Sequence, residues 1–323
     1  MQLFNNQYLK ENTTNQKVTD MHDLYSIYKK ARKTLRAALE QNLVCGENLQ
    51  FYPNAPKMSD LDVLSLAVTS ECLGIDSENL LWSKIQKDYS DKFPNLIHRT
   101  RYNARRKSLG DWLIYCCDVW SEQISGNDDL FIIDSIPIPV CKISREKSST
   151  VGRKPADELE ATKGWSATDQ QYYIGYKLHL ITSSSGIFQE CAVWPANVHD
   201  INFLKQLSET HLCDCQLIGD RAYRSAPLQL NLFRTHEIDL TVPYRKNQHD
   251  FTPYPYELKI KRKRIETVFS QYCDQFMLKR NYAKSYTGIR TRVFTKIAAM
   301  TFKQYWNYLH GNEITRTKHS LAA

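Results

Sequence analysis

Leu130-Phe131-Ile132-Ile133-Asp134-Ser135-Ile136-Pro137 is the stretch on which the fold turns. Its first four residues are apolar, with no polar residue alternating between them, as in a strand covered on both faces. An Asp at the end of such a strand must be paired or must hold a cation, because an ionised carboxylate leaves water only at a large cost. The same order returns in Gln216-Leu217-Ile218-Gly219-Asp220, followed by Arg221-Ala222-Tyr223. Two buried strands that each deliver an Asp at their end predict one shared site. The plainer alternatives are a strand-end turn for Asp134 and a structural pairing with Arg221 or Arg224 for Asp220.

Between these strands, Tyr172–Thr182 predicts a third, Ser183-Ser184-Ser185-Gly186 a turn, and Ile187–Trp194 its antiparallel partner. Asn197-Val198-His199-Asp200 reads as the cap of a helix containing Ile201, Phe203, Leu204 and Leu207, with a direct active-site role for Asn197, His199 and Asp200 as the alternative. A further helix opens near Ser225-Ala226-Pro227, and Ile238–Pro243 is another short strand. Residues 144–165 are charged and irregular and predict a long loop, with Trp165 packed inside. Residues 244–257 predict a second, polar loop. Ile265, Val268, Phe269, Tyr272, Cys273, Phe276 and Met277 form an apolar helical stripe. Glu266 is expected in the first turn of that helix, where it either meets the two Asp residues or favours the positive helix N-terminus. The expected fold class is α/β, with three antiparallel strands continued by parallel ones and helices on the faces.

The first part of the chain reads differently. Residues 1–20 are polar and predict a flexible tail. Residues 21–126 carry helical patterns, including the capping-box sequence Ser59-Asp60-Leu61-Asp62 and a stop at Gly74. Of the eleven residues Ile97–Lys107, five are basic: Arg99, Arg101, Arg105, Arg106 and Lys107. Short helices ending in a basic one predict a helix-turn-helix-like DNA-binding module, against the plainer reading of a solvated basic face. The turn Gly126-Asn127-Asp128 sets the boundary, giving a sheet domain over 127–310 and a flexible tail over 311–323.

The net charge of +8 is moderate. A second basic cluster, Lys259, Lys261, Arg262, Lys263 and Arg264, directly precedes Glu266, and together these clusters favour a polyanionic partner. Nine cysteines without a CxxC pair exclude a zinc ribbon and fit reduced thiols. No apolar stretch spans a bilayer, and the N-terminus lacks a secretory signal, so the expectation is a cytoplasmic protein without membrane contact, at the nucleoid when on DNA. P-loop, GxGxxG and GxSxG motifs are absent. Three carboxylates at one sheet end suit hard divalent cations, Mg²⁺ above all.

The order of strands and acids resembles the DDE transposase core on a ribonuclease H-like fold. Several strings resemble its insertion sequence 982 branch: Phe-Pro-Asn-Leu at 93–96 with Arg101-Tyr102-Asn103, and Ile-Ile-Asp-Ser-Ile-Pro at 132–137. Gly-Tyr-Lys-Leu-His at 175–179, Pro-Ala-Asn-Val-His-Asp at 195–200, Gly-Asp-Arg-Ala-Tyr at 219–223 and Arg-Ile-Glu-Thr-Val-Phe-Ser at 264–270 complete the set. The resemblance implies that Asp134, Asp220 and Glu266 are the catalytic and metal-binding triad, with two Mg²⁺ ions for which Mn²⁺ can substitute. It implies an enzyme that binds terminal inverted repeats, cleaves double-stranded DNA at element ends and joins the 3′-hydroxyl to target DNA, as a homodimer on DNA. The alternatives are a nuclease without strand transfer and an inactive, domesticated regulator. Related transposases carry Tyr-x2-Arg-x3-Glu-x6-Lys around the third acid. Here Arg262 is in place, but Lys259 and Cys273 hold the Tyr and Lys positions, so the lysine is supplied from elsewhere, with Lys279 a candidate, or is dispensable.

Overall fold

The computed structural model describes residues 23–126, 128–152, 159–207, 212–244 and 251–321. The tail expected over 1–20 lies outside them, as do parts of the two loops expected over 144–165 and 244–257. By its contacts the chain divides into Met1–Cys116 with Ala298–Ala323, and Cys117–Ile297.

The helical unit contains α1 (Leu24–Leu39), α2 (Asp60–Cys72), α3 (Glu78–Asp88) and α4 (Arg99–Ser108), and α5 (Gly110–Ser125) begins in it. Helix α2 is its centre. Leu61, Val63, Leu64, Leu66, Ala67 and Val68 are all fully buried, the pattern of a helix covered on every side. The predicted capping box forms: Ser59 Oγ accepts from the Asp62 amide at 3.1 Å, and the Asp62 carboxylate accepts from the Ser59 amide at 3.4 Å. Asp62 also accepts from Tyr28 Oη at 2.6 Å and Arg32 Nε at 2.8 Å, tying α1 to α2. Residues 311–321, expected to be a flexible tail, are docked on this unit. Thr317, Ser320 and Leu321 are buried, and Lys30 Nζ donates to the Leu321 carbonyl at 2.9 Å.

The second unit is built on a six-stranded mixed sheet. Its strands are β1 (Leu130–Cys141), β2 (Thr162–Ser166), β3 (Gln171–Ser183), β4 (Phe188–Pro195), β5 (Cys215–Ile218) and β6 (Ile238–Thr241). They run in the order β2-β3-β1-β5-β6, with β4 also on β3. The pairs β1–β3, β3–β4 and β2–β3 are antiparallel; β1–β5 and β5–β6 are parallel. This is the expected mixed sheet, compatible with a ribonuclease H-like core, with one correction. Strand β2 lies inside the stretch expected to be loop, because a five-residue edge strand with only Gly164 and Ser166 buried leaves no apolar alternation to read.

Strand β1 also runs well past Asp134, through Pro137 and Pro139. Proline is tolerated there because β5 pairs with β1 only as far as Ile132, leaving that side of β1 without a strand neighbour. One sheet face is covered by α6 (Ile201–Gln206) and α7 (Ala226–His236), through Phe131, Ile133, Ile181, Phe203, Leu204, Leu217 and Leu232. Helix α8 (Tyr256–Phe276) packs against β1 and buries Ile265, Val268, Phe269, Tyr272 and Phe276. It begins at Tyr256, so the basic run 259–264 is helical and Glu266 stands mid-helix, not in the first turn as expected. No Gly or Pro interrupts 256–264, and Lys, Arg and Glu are strong helix formers. Helix α9 (Tyr286–Leu309) follows. No helix among the described residues is long and apolar enough to cross a membrane.

Gly175 marks the tightest approach of β3 to β1, since a Cβ there would run into the Ile138 carbonyl and lie 3.1 Å from Pro139 Cα. Both obstacles are backbone and cannot rotate away. Gly175→Ala is therefore expected to destabilise by about 2–3 kcal/mol, read by chemical denaturation. A loss under about 0.5 kcal/mol, the range of an ordinary surface change, would mean that the strands part without cost.

Candidate active site

The parallel register of β1 and β5 pairs Leu130 with Gln216, Phe131 with Leu217 and Ile132 with Ile218. Two residues further along each strand direction stand Asp134 and Asp220, so equal spacing from one paired position brings both acids to the same level, just past the β1–β5 pairing. Gly219 permits this. A Cβ there would lie 2.8 Å from Ile133 Cγ2 and 3.2 Å from the Tyr223 ring. Asp134 Oδ1 accepts from the Ser135 amide at 2.8 Å, and Asp220 Oδ1 accepts from the Ala222 amide at 2.8 Å.

Glu266 comes to this pair from α8, one turn after Arg262. The Arg262 guanidinium bridges the acids, with Nη1 3.7 Å from Asp134 Oδ2 and Nη2 3.7 Å from Glu266 Oε1. Asp134, Asp220 and Glu266 line one cleft of about 610 Å³, together with Lys177, Asp200 and Lys279. Burial pushes the Asp134 carboxyl up to about 7, and the charges of Asp220 and Asp200 push the same way, against the Ser135 amide and Arg262. Asp220 is also raised, first by burial and then by Asp200, opposed by the Ala222 amide and Arg262.

Among the described residues no group of three His, Cys, Asp or Glu side chains is spaced to hold a metal ion. The chemistry of the donors nevertheless fits one. They are carboxylates, the preference of hard divalent cations. Two of them are half-buried and raised by that burial, and a guanidinium of the chain itself reaches across between Asp134 and Glu266.

The other sequence-predicted residues divide. On α4, Arg101 is exposed and Arg99 and Lys107 are half-buried. Arg105 and Arg106, both in the expected DNA-binding set, are held by ion pairs within the helical unit in the DNA-free chain. Arg105 donates to the Asp60 carboxylate and the Met58 carbonyl, and Arg106, buried, pairs with Glu78 at 2.7 Å. Asp60 is completely buried and requires such a partner. On α8, Lys259, Lys261 and Lys263 are exposed. Arg264 is turned to the loop after β3, donating from Nε to the Ser185 carbonyl at 3.0 Å. Lys279 lines the cleft and pairs with Asp169 at 3.2 Å.

Trp165, expected to pack inside, is 53% exposed and lines the cleft. Asp200 does not cap α6 with its side chain; the ring of His199 accepts the Ile201 amide at 3.2 Å instead. The Asp200 carboxylate turns into the cleft and pairs with Lys177. Asp200 thus takes the alternative to its helix-cap reading, while Lys177 was not singled out from its string, although a lysine between Tyr176 and Leu178 in a buried strand signals a hidden partner. His179, two residues on, is fully buried between Trp194 and Phe203 and pushed down to about 4 by burial, which makes it a neutral core side chain.

A carboxyl raised in the folded chain keeps its proton from about pH 4 to 7, where the unfolded chain has lost it. Stability therefore falls as pH rises through that window. Asp134→Asn should remove the penalty and raise stability in metal-free buffer by on the order of 2 kcal/mol at pH 8, with the gain shrinking to nothing near pH 4. A gain of the same size at both pH values would mean that packing, not charge, separates the two side chains.

The sequence profile of the transposase DDE domain matches residues 125–302. No curated protein and no solved structure matches the chain. The matched segment runs from the end of α5 through the acid-bearing sheet and α8 into α9, more than half of the sequence. The chain thus belongs to the transposase DDE domain family.

Proposed function

We propose that the chain is an insertion-sequence transposase of the insertion sequence 982 branch, and that Asp134, Asp220 and Glu266 are its catalytic triad. The observation that carries this reading is the meeting of these three acids, from two strands and a helix, in one cleft. Members of the family act on DNA and generally use divalent metal ions. In this reading the three carboxylates hold two Mg²⁺ ions, or Mn²⁺ in their place. Bound there, the ions neutralise charge on the attacking and leaving oxygens of an in-line displacement at phosphorus.

The chain's own residues then divide the remaining work. Partial burial of Asp134 and Asp220 weakens the hydration of their charge and favours a cation as partner. Arg262, drawn to the acids in the DNA-free chain, turns to a substrate phosphate. Lys259, Lys261 and Lys263 extend that contact along the exposed side of α8. The helical module over 21–126, with Arg99, Arg101 and Lys107, recognises the terminal inverted repeats, while the domain over 127–310 cleaves the element end and joins the 3′-hydroxyl to target DNA. Joining two ends requires two chains, so the active form is a homodimer on DNA, acting at the nucleoid.

The test is a labelled duplex bearing the element's end, with Mg²⁺ or Mn²⁺. Nicking at the end and joining to a second duplex are expected, and Asp134→Asn, Asp220→Asn and Glu266→Gln should each reduce both by at least about a hundredfold. Cleavage without joining would replace the transposase with a nuclease; full activity of Asp220→Asn would remove the triad. Affinity for the duplex should fall by roughly a thousandfold or more between about 50 and 200 mM salt if six or more phosphates are contacted, and a flat response would remove the basic surfaces from the argument.

A further inference from the structure

Lys177 on β3 and Asp200 before α6 form an ion pair whose side chains are only 16% and 18% exposed, and both line the cleft of the three acids. Asp200 Oδ2 also accepts from Ser135 Oγ at 3.4 Å. Its position is not explained by the helix it precedes, because the side chain makes no capping bond there. Nor does it suit a polyanionic substrate. It is a fourth negative charge in the cleft, and it acts on Asp134 and Asp220 alike. What the carboxylate does hold is the Lys177 ammonium.

We propose that Asp200 stands in for a DNA phosphate, holding Lys177 in the DNA-free chain until a backbone phosphate takes its place. The inference rests on the reading of this cleft as the DNA-processing site. A carboxylate and a phosphodiester offer an ammonium the same kind of anionic oxygen, and lysine meets either as a point charge on a flexible stem. Lys177 has already been taken out of water, so exchanging one anionic partner for the other adds no second desolvation of the ammonium. Lys279 is likewise held by an aspartate, but that pair is 37% exposed on both sides and is screened by solvent. The Lys177 pair is the drier one and the one joined to Ser135, next to Asp134.

The experiment measures binding of a labelled element-end duplex by fluorescence anisotropy in EDTA, for the full chain and four variants. Lys177→Met should weaken binding roughly three- to tenfold and lower the slope of log affinity against log salt by about one. Asp200→Asn should tighten it by more than Asp239→Asn, which removes the same charge from an exposed position on β6. In the Lys177→Met background, Asp200→Asn should give no more than that control. Equal gains from Asp200→Asn and Asp239→Asn, or a gain that persists without Lys177, would overturn the proposal. Thermal unfolding checks each variant. If Lys177→Met does not fold, the comparison of the two aspartate variants decides alone. If the wild-type chain shows no salt-dependent binding, the DNA reading of the cleft itself fails.

Discussion

Two half-buried carboxylates at the same level of neighbouring strands are the constraint around which the second unit is arranged. The parallel pairing of β1 with β5 places Asp134 and Asp220 at equal distances past Ile132 and Ile218, and Gly219 lets the chain pass close enough for the pair to form. Burial pushes the Asp134 carboxyl up to about 7, and the neighbouring Asp220 charge pushes the same way. A site built only for stability would carry apolar or amide side chains here. The uncompensated charge makes the site receptive to cations, in keeping with a family that generally works with divalent metal ions.

Answering that charge requires residues far apart in the sequence. Arg262 approaches from α8, whose buried stripe holds the helix against the sheet, and its guanidinium lies between Asp134 and Glu266. Ser135 and Ala222 amides satisfy one oxygen of each aspartate locally. Asp200 and Lys177 come from a loop and a neighbouring strand and add a nearly neutral pair to the same cleft. The cleft is thus only partly balanced by cations contributed from the chain, and each of them is a group that a phosphate can attract.

The helical unit shows how charge counted along a sequence overstates charge available at a surface. Asp60 begins α2 and is fully buried, so Arg105 is drawn inward to meet it, and Glu78 draws in Arg106. Helix α4 then presents Arg101 outward, with Arg99 and Lys107 half-buried. The pull is electrostatic and does not depend on the helical pattern, because a buried carboxylate without a partner costs several times what an exposed arginine gains.

The sequence by itself determined what depends on neighbouring residues: the two apolar strand segments that lead into Asp134 and Asp220, the hairpin between them, the capping box at Ser59, and the amphipathic helix that carries Glu266. These follow from periodicity and local hydrogen bonding, which act over a few residues. Strand β2 escaped because an edge strand with one solvated face resembles a loop. The start of α8 escaped because a run of lysines and arginines is as compatible with a loop as with a helix. Only the tertiary structure decided which side chains share the cleft. Lys177 and Asp200 enter it by strand register and by the turn before α6, while Arg105, Arg106 and Arg264 are turned to partners distant in sequence. The physical reason is the same in each case: a charge is placed by whichever counter-charge or carbonyl the fold brings within reach, and the linear sequence does not carry that distance.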